Sequence, residues 1–574
     1  MSRLYLFHQS RVRVVLNGII LIGLIIVFRF FYIQVLNANG YSENLSKRIS
    51  YNKKVKGDRG KIYDRNGIAL AENITKVTFW TNTNQDIDTE SIALFLNEEF
   101  DISKASTIEL INNKKTNYLP LKKDVILDDI IGTISEIKSI RGLYIDKEIK
   151  RFYQYENVCA QLIGHTNYEG EGQSGVELQF NTILKGNEKI ERFYKSKGNQ
   201  FVNKEKQNFN SSLYGSDVYL TIDIQLQNIL FEAINKGYEN SNAKSANGII
   251  IDPHTGEILA LASTPGFNPN QRVIDNLENL KNNTISKQYE PGSTLKVLSF
   301  LNSISLIDDI NNEKLFDCEN GEYYLPGSRV LIHDHEPHQD LSLDEILIHS
   351  SNIGIAKLTA IIGKEKTFDS LKKFGIGTKT GVDLPGEEKG LLRPLNSWSK
   401  VSATMVSMGQ EVSATNLQLS MIYASIANGG YLLKPKVIKQ INNISENIIL
   451  NETEVIRKVM DKEESRKLLD VLTKAVEKGT GTNAIIPGYD IAGKTGTAEK
   501  FIDGAYSEEY FVSSFASIFP SNNPKLVCIV SVDSPEYHKH WGNMTAAPIT
   551  REIYKQIIIN DYLSNVDKSN KEII

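Results

Sequence analysis

The stretch from Val14 to Leu36 constrains this chain more than any other. Its 23 residues carry a single charge, Arg29. As a helix they run roughly 34 Å, enough to cross a hydrocarbon core of about 30 Å. Arg29 lies toward the end of the span, where a long side chain can snorkel to the interface, and aromatic Phe30, Phe31 and Tyr32 come directly after it. Arg3, Arg11 and Arg13 precede the span with no acid among them. The positive-inside rule then predicts a cytoplasmic tail over 1–13, an anchor over 14–36 and everything beyond about residue 37 outside the cytoplasm. A cleaved signal peptide is the other reading. The length of the apolar stretch and the lack of a small-residue cleavage site behind it favour an uncleaved anchor. No other stretch approaches eighteen apolar residues, so a single pass is expected.

The chain beyond the span must fold in an aqueous compartment, and the composition agrees. The apolar fraction is 41% and the charged fraction 23%, which excludes wholesale disorder and a polytopic membrane protein. Lys+Arg 65 against Asp+Glu 69 gives −4 over 574 residues. No basic stripe offers a nucleic-acid surface. Three cysteines, Cys159, Cys318 and Cys528, are too few and too scattered for a disulfide framework or a CxxC knuckle. Few cysteines outside the cytoplasm fit a periplasm. Cys528 reads as a buried strand thiol.

The extracytoplasmic part divides by composition. Residues 37–186 mix short apolar runs with turn signals. Residues 187–215 are polar and read as a linker or extended ribbon. A new regime opens with a strand at 217–223, then a helical pattern at Leu226, Ile229, Leu230 and Ile234. Residues 248–260 read as strand, turn, strand around Asp252-Pro253-His254-Thr255-Gly256. From there to Tyr562 helices and strands mix without a βαβ rhythm, so the expected class is α+β. The domains expected are one with a linker over 37–215, a second over 216–562 and a polar tail over 563–574.

Three short segments carry candidate chemistry. Pro291-Gly292-Ser293-Thr294-Leu295-Lys296 starts with a breaker and runs into an apolar helix. Ser293 and Lys296 then share one face, a turn apart. A serine needs a base to become a nucleophile, and lysine serves only if burial or cationic neighbours depress its pKa. Five other S-x-x-K matches occur, so alone this reads as easily as an N-cap. Fifty-seven residues after Ser293 comes Ser350-Ser351-Asn352, whose hydroxyl and amide can face one cleft or simply cap a helix. Lys494-Thr495-Gly496-Thr497, 201 residues after Ser293, reads as a strand edge with positive charge, hydroxyls and a close backbone approach at Gly496. Lys379-Thr380-Gly381 is a decoy among glycines and reads as a loop.

Two rival readings use the same regions. Gly488 to Thr495 fits the phosphate loop G-x-x-x-x-G-K-T. Its proline-ended run before and its short, glycine-flanked run after do not supply the strand and helix that loop requires. His333, His335 and His338 suggest metal ligands, but Pro337 breaks any helical register and no distant fourth ligand is indicated. That segment reads as a polar loop near the cleft.

Taken together, S-x-x-K, S-x-N and K-T-G in this order resemble the penicillin-recognising serine acyltransferases. The resemblance is wider. Residues 59–67 (RGKIYDRNG) and 164–186 look like the pedestal of class B penicillin-binding proteins. Gly256 to Ala260, Thr415 to Gln418, Ala427 to Gly430 and Gly479-Thr480-Gly481 look like their transpeptidase domain. Gln154 stands where proline is expected. Ser-Ser-Asn and Lys-Thr-Gly-Thr-Ala resemble the division-specific FtsI type, with elongation-type relatives, a β-lactam sensor or a β-lactamase as alternatives. The resemblance implies a transpeptidase domain with a central antiparallel sheet flanked by helices. It implies Ser293, Lys296 and Ser350 as catalytic residues, and Asn352, Lys494, Thr495, Gly496 and Thr497 as substrate-binding ones. No metal or organic cofactor is implied. The implied partners are peptidoglycan stem peptides, β-lactams, the inner membrane, an FtsW-like polymerase and other division proteins, with the catalytic domain periplasmic and at the septum.

Overall fold

The structure is a computed structural model of the 574-residue chain. It describes residues 2–37, 50–133, 137–195, 201–202, 214–271, 276–307, 315–442 and 448–563. The chain forms two compact units, Met1–Asp58 with Gly186–Gly215, and Arg59–Lys185 with Ser216–Ile574.

In the first unit, helix α1 (Ser2–Phe31) continues into a π-helical turn over Tyr32–Leu36. Residues 11–36 are apolar and long enough to cross a membrane, and almost all are exposed. The 187–215 segment is in part a ribbon. Glu188–Lys195 pairs antiparallel with Ser50–Lys56, and Phe201–Val202 pairs on its other side.

The second unit holds two sheets. A seven-stranded mixed sheet includes Ile62–Tyr63, Ala69–Thr81, Leu119–Ile126, Leu143–Tyr153, Asp217–Leu220 and Ile438–Asn442. Ile62–Tyr63 pairs parallel with Asp217–Leu220, so strands from both sides of residue 215 share one sheet. Near it, Glu177 is fully buried between two arginines, at 2.6 Å from Arg59 and 2.7 Å from Arg151.

The other sheet carries the site. Its strands are β1 (Ser245–Ile251), β2 (Ile258–Thr264), β3 (Ala492–Ile502), β4 (Ala505–Phe519) and β5 (Leu526–Asp533). They run antiparallel in the order β2-β1-β5-β4-β3. The turn at 252–256 joins β1 to β2 as the sequence predicts. The helices that matter here are α2 (Ile224–Ser241), α3 (Lys296–Ile307), α4 (Asn352–Ile362), α5 (Asn416–Ala427), α6 (Lys462–Lys478) and α7 (Ala546–Ile559).

Strands β1, β2 and β5 are buried along their whole length because helices cover both faces. Side chains alternate between the two. Ile250, Cys528 and Val530 pack with α2 and α7, while Ile249, Ile251 and Ile529 pack with α5. Cys528 is thus the inert core thiol expected, its thiol pKa pushed up by burial. The class is α+β, with one N-terminal apolar helix and a helix-flanked antiparallel sheet. The polar tail expected over 563–574 lies, beyond Leu563, outside the described residues.

Candidate active site

Ser293 does not cap a helix. Gly292–Leu295 forms a tight 3-10 turn that flows into α3 at Lys296. Gly292 has a φ of +55°, the left-handed region that glycine tolerates best. Its N–H donates to the Gly409 carbonyl at 3.1 Å, and a Cβ there would lie 3.1 Å from the Thr497 carbonyl oxygen. From behind, the Tyr423 hydroxyl on α5 donates to the Thr294 carbonyl at 2.9 Å. The turn is therefore held from three sides. Ser293 remains half-buried, while Lys296 is fully buried.

The Lys296 ammonium reaches the second segment. Nζ donates to the Ser350 carbonyl at 2.6 Å and to Asn352 Oδ1 at 2.6 Å, with Ser350 Oγ at 3.4 Å. Ser350 has a φ of +62°, strained for a residue with a Cβ, and this turns its carbonyl and hydroxyl to the same amine. Ser351, not Ser350, is the N-cap of α4, accepting from Gly354 N–H at 2.8 Å. Asp334 completes that cap. Its carboxylate accepts from the N–H groups of Asn352 and Ile353 and from the Ser351 hydroxyl. A carboxylate at a helix N-terminus satisfies orphan donors and opposes the helix dipole. Asn352 Nδ2 donates to the His333 carbonyl at 2.7 Å, tying the 333–338 loop to the same place.

The third segment lies on β3, the edge strand next to the serine turn. Gly496 is where the two meet. A Cβ there would lie 2.8 Å from the Pro291 carbonyl oxygen and 2.4 Å from Ser514 Oγ. Lys494 is fully buried, its Nζ 3.3 Å from Thr480 Oγ1, and Thr495 Oγ1 lies 2.9 Å from that same hydroxyl. Thr497 Oγ1 accepts from Gly542 N–H at 3.0 Å.

Burial sets the charge states. Desolvation lowers the Lys296 pKa to about 7, against a smaller opposing pull from Asp334. Desolvation also holds Lys494 well below the ordinary lysine range, and the nearby Lys296 pushes the same way. The site thus holds a half-buried hydroxyl, a buried amine whose pKa is brought to about 7, and a second buried amine beside two threonine hydroxyls. That is the equipment of serine-based acyl transfer.

All eight residues singled out in the sequence fall in this one region. The phosphate-loop reading fails because residues 492–502 are a strand, not a helix. Lys379-Thr380-Gly381 is a loop whose Thr380 bonds Glu387. Asp334, Thr480 and Gly542 were not assigned from sequence. Thr480 alone had a signal, the Gly479-Thr480-Gly481 string.

The chain belongs to the penicillin-binding transpeptidase family. The model of the penicillin-binding protein transpeptidase domain matches residues 247–555, and that of the penicillin-binding protein dimerisation domain matches 54–220. The pair is the class B arrangement, and the enzyme class is that of serine-type peptidoglycan D,D-transpeptidases, which take peptidoglycan and β-lactams at this domain. Among similar proteins is the probable peptidoglycan D,D-transpeptidase PenA of Neisseria meningitidis, 28% identical, covering 95% of this chain and 92% of its own. The stage V sporulation protein D of Bacillus subtilis is 28% identical over 94% of this chain and 84% of its own. The peptidoglycan D,D-transpeptidase FtsI of Buchnera aphidicola is 29% identical over 95% and 94%. Penicillin-binding protein 3 of Mycobacterium tuberculosis, solved with aztreonam, has the same fold, with a TM-score of 0.68 at 24% identity over 89% of this chain and 97% of that one.

Proposed function

We propose that this chain is the septal D,D-transpeptidase of a bacterial division apparatus, anchored by residues 14–36 with residues 1–13 cytoplasmic. Residues 37–215 serve as pedestal and 216–562 as the catalytic domain, placed in the periplasm. Lys296 takes the proton of Ser293, and Oγ attacks the carbonyl of the penultimate D-alanine of a stem peptide. The backbone N–H groups of Ser293 and Thr497 receive the oxyanion, at ~3–4 kcal/mol per donor. Ser350 passes a proton to the leaving amine, and the terminal D-alanine departs. Asn352 holds the donor peptide. Lys494, Thr495 and Thr497 bind the terminal carboxylate, and Gly496 lets the backbone come close. An amine from a neighbouring stem then attacks the ester, forms the cross-link and frees Ser293. The reaction calls for no metal or organic cofactor.

The observation that carries this reading is the fully buried Lys296, its pKa brought to about 7, bonded to Ser350 and Asn352. The division role rests on the FtsI name of relatives at under 30% identity, and an FtsW-like polymerase partner accords with that role. Two measurements test the proposal. The purified chain should release D-alanine from a pentapeptide stem, and Lys296→Ala should abolish release. Depletion in cells should give filaments, and in undepleted cells the protein should sit at midcell. Rounded cells with the protein along the side wall would assign it to elongation instead.

A further inference from the structure

The 333–338 loop touches the site, at Ser351 and Asn352 through Asp334 and the His333 carbonyl and at Trp541 through His335. The His335 ring lies against Trp541, tilted by 43° with centroids 4.2 Å apart, and Trp541 adjoins the Gly542 that bonds Thr497. At its other end His338 meets His349 edge to face, with centroids 4.7 Å apart. His349 immediately precedes Ser350. Glu336 completes the group: one ligand atom each from Glu336, His338 and His349 lies within 4.8 Å of the others. The histidine set suggested by sequence spacing was different, and Pro337 argued against it. The turn it makes in fact brings Glu336 and His338 to one side, and the third ligand comes from the end of the Leu343–Ile348 helix.

We propose that Glu336, His338 and His349 form a binding site for a divalent transition cation of the zinc type. Two imidazoles and one carboxylate are the donor set zinc accepts, with solvent in the fourth position. Glu345, the acid nearest His349 on its own helix, is engaged in the Ser342 capping box. Among the described residues, Lys478 is the lysine that acts on His349 from a neighbouring element. The bound ion would pin the loop to the residue before Ser350, where Asp334 and the His333 carbonyl already hold α4. Its role is to fix the loop, and transpeptidation does not pass through it.

The test uses the full chain in detergent, stripped with a chelator and titrated with zinc sulfate by calorimetry. One ion per chain should bind with micromolar or tighter affinity, and His338→Ala and His349→Ala should each weaken it at least tenfold. Cobalt(II) in place of zinc should give the visible absorption of a four- or five-coordinate site in the wild type and lose it in His338→Ala. That variant should still take up penicillin stoichiometrically, which separates a lost ligand from a lost fold. Binding no tighter than millimolar, or affinity unchanged by both substitutions, would overturn the proposal.

Discussion

At the scale of single residues, the proposed reaction depends on an amine kept from its usual charge. Burial lowers the Lys296 pKa to about 7, and only the neutral amine can take a proton from Ser293. The rate of acylation by penicillin should therefore climb about tenfold per pH unit below 7 and level off above it. Asp334 stabilises the charged amine, so Asp334→Asn should lower that pKa further and move the midpoint to more acid pH. Stopped-flow acylation across pH 5–9 reads both, and an unmoved midpoint would contradict the coupling. The eight site residues were legible because S-x-x-K, S-x-N and K-T-G are local strings whose spacing survives in the sequence. Asp334 was not, because its role as a cap for α4 arises from a tertiary contact 18 residues away in the chain. The φ of +62° at Ser350 left no mark either, since a serine there advertises no positive φ.

At the scale of elements, the site is a meeting of a turn, a helix start and a strand edge, and Gly496 sets the gap. Gly496→Ala would press a methyl against the Pro291 carbonyl and Ser514 Oγ, and β3 must move away from the serine turn. Acylation should fall by at least tenfold while the unfolding temperature shifts little, and near-normal acylation would show that the gap is slack. Away from the site, Glu177 bridges Arg59 and Arg151 in the interior of the second unit. Glu177→Ala leaves two buried guanidiniums without their counter-charge, a loss of about 3–5 kcal/mol. Chemical unfolding of the purified variant reads it. The sequence revealed α2 through its 3.6-residue period and the 245–264 hairpin through its turn residues. It hid the sheet order, because β1 and β2 belong to one sheet with β5, nearly three hundred residues later, and nothing local encodes the β1–β5 pairing.

At the scale of the whole molecule, the proposed location of the chemistry rests on one apolar helix. Deleting residues 2–36 should move the chain from the membrane fraction to the soluble one without loss of penicillin binding. Protease added to intact spheroplasts should digest the catalytic domain. Protection there would place it in the cytoplasm, away from its substrate. The apolar helix was legible because twenty-three residues with one charge have few other uses. A change of composition at residue 215 was legible, yet the parallel pairing of Ile62–Tyr63 with Asp217–Leu220 across it was not, since neither strand is more than four residues long.

The chemistry comes down to one ester bond. Intact-mass spectrometry of the purified chain after benzylpenicillin should show a single covalent addition of the drug, and none in Ser293→Ala. An addition in both proteins, or in neither, would contradict the assignment of Ser293 as the nucleophile.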